Sequence, residues 1–501
     1  MELGRIVSIG STPSTEKFFF VVRDNVDVKK GMYVSVRTEQ GELIARINDI
    51  IRYNPYFERP DTVREIERMG KSVEDLFPTE RWEYLLAECA TVGVFTDSGF
   101  QRAFIPPKPG SLVETAREEV LSELFGFVKN GLYLGKLLYH DVDARMSMTR
   151  LLQKHLAILA MSGAGKSYLA SVIIEELLDR DESEGKIAVV LIDTHGEYLG
   201  FAEDANYMNK TIVVNAEELR IGVPKLQAEF FEEVVPQLSG PQRRELKRIV
   251  DDLKREKENT PYSIDDLIKK VESDRFIRNQ NTREVILTHL YRLKSYGIFG
   301  YYSQPSIKDM CQPGKLCIVD MSQLESQEAR HIVVHYVARE IFTARKKGEI
   351  PPTLLIIEEA HNYAPEGVKR ESAIARGIIE KIAREGRKFH VCLCLISQRP
   401  INLSTTALSQ CNTHIILRVN NPNDLDHIGK TSEGITKEVL RAITSLQVGE
   451  ALIVGEAVNF PVFIKVRKRR SYVKKGETLE EAAKRYLREM IERENDVRAF
   501  I

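Results

Sequence analysis

The chain has 501 residues, enough for two to four domains each with its own core, and its composition (43% hydrophobic, 29% charged) is that of a soluble globular protein. A formal net charge of −1 excludes a protein that coats nucleic acid through a global basic field; any basic surface has to be local, as in a ring with a basic channel. No apolar run approaches the ~18 residues that span a bilayer. The N-terminal Met-Glu-Leu-Gly-Arg has no signal-peptide core, and the six cysteines (Cys89, Cys311, Cys317, Cys392, Cys394, Cys411) lack paired metal-ligand spacing. Packing roles in a reducing cytoplasm are expected for them.

In chain order, short strands are expected over residues 5–8, 18–23, 33–37 and 43–51, separated by polar and glycine-containing turns. With further strands at 88–96 and 101–105 they predict a small β-barrel. Residues 57–85 are charged and read as helical. Pro106-Pro107-Lys108-Pro109-Gly110 marks the expected end of this domain at residue 110.

Beyond residue 150 near-continuous apolar runs alternate with helical patterns, which predicts a parallel α/β core with strands at 156–159, 187–192, 316–319, 354–357, 391–396 and 414–419. The first of these runs into Ala160-Met161-Ser162-Gly163-Ala164-Gly165-Lys166-Ser167, followed by the helical pattern Leu169, Ile173, Leu177. That is the strand–loop–helix setting of a phosphate-binding loop. Backbone N–H groups from Ser162 to Tyr168 would surround the phosphates, Lys166 would reach the β/γ-phosphates, and Ser167 would offer its hydroxyl to Mg²⁺. Ala160 stands where the first glycine of this loop usually stands, which leaves the backbone donors intact.

The next strand ends in Asp193-Thr194-His195-Gly196-Glu197. Asp193 either orients water or metal, or caps a turn; His195 is expected to make a loop hydrogen bond. Residues 216–300 are rich in Lys, Arg and Glu and read as a helical bundle inserted in the core. Leu354-Leu355-Ile356-Ile357 then delivers Glu358 and Glu359 to the carboxyl edge of the sheet, where α/β folds bind ligands. Glu358 would hold Mg²⁺ directly or through water and Glu359 would polarise the attacking water; as an alternative, two acids after a strand can simply complement a helix N-terminus.

A helix with one buried stripe (Ile374, Ile378, Ile382) is expected from Ser372 to Glu385, stopped by Gly386. Gln398, after the strand at 391–396, is placed to bond the γ-phosphate or the lytic water. Finally, Thr478-x-x-Glu481 makes a capping box for a C-terminal helix. Its stripe of Leu479, Ala483, Tyr486, Leu487 and Met490 implies docking against something.

Taken together, residues 160–167, 193–198, 356–363, 383–388 and 397–400 resemble, in this order, the HerA/FtsK group of ring-shaped P-loop ATPases, HerA most closely. The resemblance implies a RecA-like core (111–470) with an N-terminal β-barrel (1–110), the insertion at 216–300 and a helical tail (471–501). It further implies ATP and Mg²⁺ as cofactors and a homohexamer that translocates double-stranded DNA beside a NurA-type nuclease in end resection, the barrel being the expected dock. Two other functions compete, a secretion-type pump and a nucleotide-switched scaffold. DNA contacts are expected at Lys369, Arg370 and Arg376, whose bland alternative is a solvated helix face, or else in the loop at 401–406. Arg384 and Arg387 either complement their helix's negative end or enter the neighbouring subunit's nucleotide site, with Lys154 and Arg418 in reserve.

Overall fold

The computed structural model describes residues 1–258, 260–369, 372–432, 434–473 and 479–499. The chain divides into two compact units. One comprises Met1–Lys166, Gln398–Ile401 and Leu408–Lys468; the other comprises Ser167–Ser397, Asn402–Ala407 and the C-terminal residues from Arg469.

The first unit opens with the barrel. Six strands pair in the order Lys17–Val22, Glu2–Val7, Leu112–Thr115, Tyr33–Thr38, Gly41–Tyr53, Tyr84–Thr96, and the last closes on the first. Gly99–Gln101 extends the edge of Tyr84–Thr96. Alternation along the strands turns Leu3, Phe18, Phe20, Val34, Val36, Leu43, Ala87, Cys89, Val94 and Val113 into one core. The last of the six in chain order, Leu112–Thr115, lies beyond the proline-rich boundary expected at residue 110, because it bonds to both Glu2–Val7 and Tyr33–Thr38 and fills the gap between them. Between the two long strands, residues 57–85 form short helices, Pro60–Arg68 and Val73–Leu76, with 3₁₀ turns on either side. In the remainder of this unit Leu156–Leu159 pairs in parallel with Thr413–Ile416. An antiparallel run follows from there through Glu450–Gly455, Val462–Val466 and Leu132–Leu137 to Asp143–Met146.

The second unit is built on five parallel strands in the order Thr211–Asn215, Leu316–Asp320, Ala188–Asp193, Thr353–Ile357, Val391–Ser397. Ala188–Asp193 and Thr353–Ile357 are buried at every position, as strands covered on both faces are. Within residues 216–300 lie helices Ala228–Val234, Gly240–Glu256, Ile264–Ser273 and Gln280–Ser295. Gly240–Glu256 shows why they bundle: Leu246, Ile249, Val250 and Leu253 fall on one face and are buried, while its arginines and acids pair outside.

One expectation is corrected at the helix Arg376–Glu385, which starts four residues later than the pattern suggested. Its end is where the sequence put it, with Gly386 as the C-cap. Gly386 is right-handed (φ −56°) and leads into a 3₁₀ turn, Gly386–Phe389, after which His390 (φ 55°) takes the left-handed conformation. The C-terminal helix runs Leu479–Ala499; Leu479, Tyr486, Leu487 and Met490 are exposed, so no described residue of this chain covers the stripe expected to dock. Thr478, the expected cap, lies outside the described residues. No described helix is long and apolar enough to cross a membrane.

Candidate nucleotide site

The phosphate-binding loop leaves the fully buried strand Leu156–Leu159 and ends in the helix Lys166–Leu178. Gly163 (φ 74°) and Gly165 (φ 101°) adopt left-handed backbone that an L side chain resists, which is the reason both are glycine; neither position is crowded. The Ala160 methyl is fully buried at the loop's entrance. Ser162 and Tyr168 are exposed, Ala164 is buried, and Lys166 is half-buried at the helix N-terminus. Among the reserve cations, Lys154 is held by Glu456 at 2.7 Å, and the Arg418 carbonyl accepts the N–H of Met161.

In the second unit the parallel register opposes Ile192 to Ile357, so Asp193 and Glu358 leave the sheet side by side. The Ser167 hydroxyl, in the first turn of the loop helix, donates to the Glu197 carboxylate. Asp193 accepts four backbone N–H groups, from His195, Gly196 and Glu197 on Oδ1 and from Tyr198 on Oδ2. Of the two roles expected for Asp193, turn-former is the one this geometry displays, and His195 does make the loop bond expected of it. The same turn aims Glu197 at Ser167. The pattern signal for Glu197 was present in the sequence, since it lies four residues after a strand-end acid, but nothing local says that the turn folds back on the loop helix.

Glu358 is 3% exposed and accepts the Thr194 N–H at 3.0 Å. Burial first, then the charges of Asp193 and Glu197, push its carboxyl up to about 9. Burial also raises Asp193, against the pull of its amide donors. Burial and the crowding of like charge thus favour the protonated form of Glu358 beside Asp193. The group takes up a proton on folding, because its ordinary value of 4.5 rises to about 9. Its contribution is thus fully present below 4.5 and is lost as pH climbs through 9. Without nucleotide or divalent cation, the wild-type thermal midpoint should fall across that window relative to Glu358→Gln, which keeps the neutral shape. Parallel midpoint-versus-pH curves for the two proteins would show that the carboxyl carries no such proton.

Glu359 is 6% exposed and stands at φ 47°, ψ 45°, a left-handed conformation that costs a non-glycine residue roughly 1–3 kcal/mol. Such strain persists where surrounding packing over-determines it, most often at working sites. Its Oε2 lies 3.3 Å from Nδ1 of His361, which in turn lies 3.1 Å from the Ser397 hydroxyl at the end of the neighbouring strand. Neither His361 nor Ser397 was expected from sequence to serve this site. Gln398, in the first unit, is half-buried directly after that strand.

The structure thus gathers Ser167, Asp193, Glu197, Glu358 and Glu359 at adjoining strand and helix ends of one unit. Arg384 and Arg387 are exposed, Arg384 lying 3.9 Å from Glu380. Lys369 is exposed, while the Arg376 guanidinium is engaged by Glu380 at 2.7 Å; Arg370 lies outside the described residues.

A family model described as "Helicase HerA, central domain" matches residues 132–341. A probable helicase of Methanocaldococcus jannaschii is 31% identical over 88% of this chain and 86% of its own length. The DNA double-strand break repair helicase HerA of Sulfurisphaera tokodaii is 28% identical over 88% and 89%. Among solved structures, VirB4 of Thermoanaerobacter pseudethanolicus matches with a TM-score of 0.53 at 16% identity, covering 68% of this chain and 98% of that one, a likeness of fold. With a phosphate-binding loop, a strand-end pair of acids and a relative this similar along nearly its whole length, the chain belongs to the HerA helicase family.

Proposed function

We propose that this chain is an ATP-driven motor that translocates double-stranded DNA as a homohexamer, acting with a NurA-type nuclease in end resection and recombinational repair. The observation that carries the proposal is the convergence of the Ser167 hydroxyl and Glu197, the buried neighbours Asp193 and Glu358, and Glu359 on its left-handed backbone. Relatives named as double-strand break repair helicases make DNA the cargo that fits best.

In this reading the N–H groups from Ser162 to Tyr168 bind the phosphates and Lys166 reaches the β/γ-phosphates. The donor set suits Mg²⁺, which keeps few protein ligands and shares the nucleotide's oxygens: a serine hydroxyl, Ser167, and a carboxyl, Glu358, whose charged form, disfavoured by burial and by Asp193 and Glu197, the cation would restore. When bound, the cation would neutralise phosphate charge. Glu359 polarises the attacking water and Gln398 bonds the γ-phosphate or that water. ATP hydrolysis measured with and without linear duplex DNA tests the whole reading. Stimulation by DNA is expected, and slow, DNA-insensitive hydrolysis would fit a nucleotide-switched scaffold instead.

The grip on DNA falls to Lys369 and Arg370, since Arg376 is committed to Glu380. Phosphate contacts release counterions, so affinity falls with salt in proportion to the contacts made. Neutralising Lys369 and Arg370 together should weaken duplex binding and flatten the plot of log affinity against log salt. An unchanged slope would move the contact to the loop at 401–406, where Ile401 is exposed.

A further inference from the structure

We infer that Glu380 is a positioning residue that joins two loops, the proposed DNA contact at 369–370 and the loop at 401–406 zipped to it, to the helix bearing Arg384, so that duplex DNA acts on ATP turnover through it. The inference rests on the function proposed above and adds the element that couples its two ends.

Two loops leave the carboxyl edge of the second unit's sheet, one after Glu359 and the short helix Ala360–Tyr363, the other beyond Val391–Ser397. They are zipped together. Ser404 N–H donates to the Ala364 carbonyl and Glu366 N–H to the Asn402 carbonyl, each at 2.8 Å. Pro365 and Leu403 form a bridge, and Thr405 N–H donates to the Glu366 carboxylate. Glu380 is where this zipper meets the next helix. One oxygen, Oε1, accepts both Nε of Arg376, at 2.7 Å, and the Ser404 hydroxyl, also at 2.7 Å. The other, Oε2, lies 3.9 Å from Arg384.

A plain reading would make Glu380 a helix stabiliser, since Arg376 and Arg384 stand four residues to either side and such pairs brace exposed helices weakly. That reading leaves the third partner unexplained. Ser404 is 24 residues away on the other loop and fully buried, and its oxygen also accepts the Ala407 N–H. A carboxylate serving only its own helix has no use for a buried hydroxyl of another segment. Ile378, Ile379 and Ile382 fix the opposite face of the helix in the core, so a displacement of either loop reaches Arg384 most directly through the Glu380 side chain. Arg376, expected from sequence to bind DNA, becomes part of this joint.

Deleting the joint should leave each loop held by its own backbone bonds while uncoupling them. Coupling between sites of this kind is typically worth 5–150-fold. In Glu380→Ala and, separately, Ser404→Ala, the DNA-stimulated increase in kcat should therefore fall by a factor on the order of 5 or more. The KM for ATP should stay at its wild-type value in both; the thermal midpoint should stay there in Glu380→Ala and fall only slightly in Ser404→Ala, which also loses the oxygen that accepts the Ala407 N–H. Glu380→Gln, whose amide oxygen still accepts from Ser404 and Arg376, should restore much of the stimulation. Wild-type stimulation in both Glu380→Ala and Ser404→Ala overturns the inference. So does a loss that comes with a raised KM or a lowered midpoint in both, because that is the signature of a structural role. A wild-type protein with no DNA stimulation would sink the proposed function itself, and this is seen before any variant is made.

Discussion

Glu359→Gln is expected to bind ATP at close to wild-type affinity and to hydrolyse it about 10²–10⁴-fold more slowly, the usual loss when a positioned general base is removed. Two neighbouring carboxylates are available for that role, and their surroundings separate them. Glu358 is buried, and burial together with the charges of Asp193 and Glu197 favours its protonated form, which accepts poorly from water; a charged partner that reverses the shift would also occupy its oxygens. Glu359 stands apart from that cluster, beside His361, on a backbone that the fold keeps in a left-handed conformation. A side chain held this way is aimed at little entropic cost when substrate arrives, which is where preorganisation helps the rate. The measurement pairs equilibrium nucleotide binding with single-turnover hydrolysis for Glu359→Gln and Glu358→Gln. Tight binding with slow turnover in the first, and weakened Mg²⁺–ATP binding in the second, is the expected split. Wild-type turnover in Glu359→Gln together with loss in Glu358→Gln would exchange the two roles.

The second large effect is one that no isolated subunit can show. In the homohexamer proposed above, a ring built only from Arg384→Ala/Arg387→Ala subunits should be inactive, as should one built from Lys166→Ala subunits, yet a mixture of the two should recover part of the ATPase activity. Both arginines are exposed: Arg384 stands in the last turn of a helix whose isoleucines are buried on the other side, and Arg387 sits in the 3₁₀ turn beyond it. Complementing the helix's negative end accounts for typically 0.3–1 kcal/mol and would leave turnover unchanged. An arginine entering the neighbouring subunit's site to neutralise charge on the transferring phosphate is worth roughly 10³–10⁵ in rate. Those magnitudes are far enough apart to decide the matter. Mixed rings place an intact phosphate-binding loop opposite an intact arginine, which neither parent ring contains. Recovered hydrolysis, with assembly checked by light scattering, supports action in trans. An Arg384→Ala/Arg387→Ala ring with normal turnover eliminates it and leaves Arg418, whose carbonyl is bonded to the phosphate-binding loop, as the next arginine to test.

Much of this molecule was decided by short stretches of sequence. Gly163 and Gly165 sit where the loop needs left-handed backbone, and the apolar runs ending at Asp193 and Ile357 became strands because their residues suit a sheet buried on both faces. Spacing alone also placed Glu358 and Glu359 at a sheet edge. These features are local: propensity, periodicity and turn chemistry act over a few residues, so a sequence reading reaches them. Other features exist only because distant segments meet. The barrel's last strand lies past its proline-rich boundary since closure depends on partners at residues 2–7 and 33–38. The Glu358 carboxyl is pushed up because the fold buries it and because Asp193 and Glu197, far away in sequence, bring negative charge beside it. Gly386 caps its helix as its residue type suggests, but the left-handed turn comes only at His390, after a 3₁₀ turn that nothing in the local pattern announces. Arg376 looked free to grip a phosphate and is held by a carboxylate that also holds Ser404. Electrostatic environment and long-range hydrogen bonding depend on three-dimensional neighbours, which residue order specifies only through the completed fold.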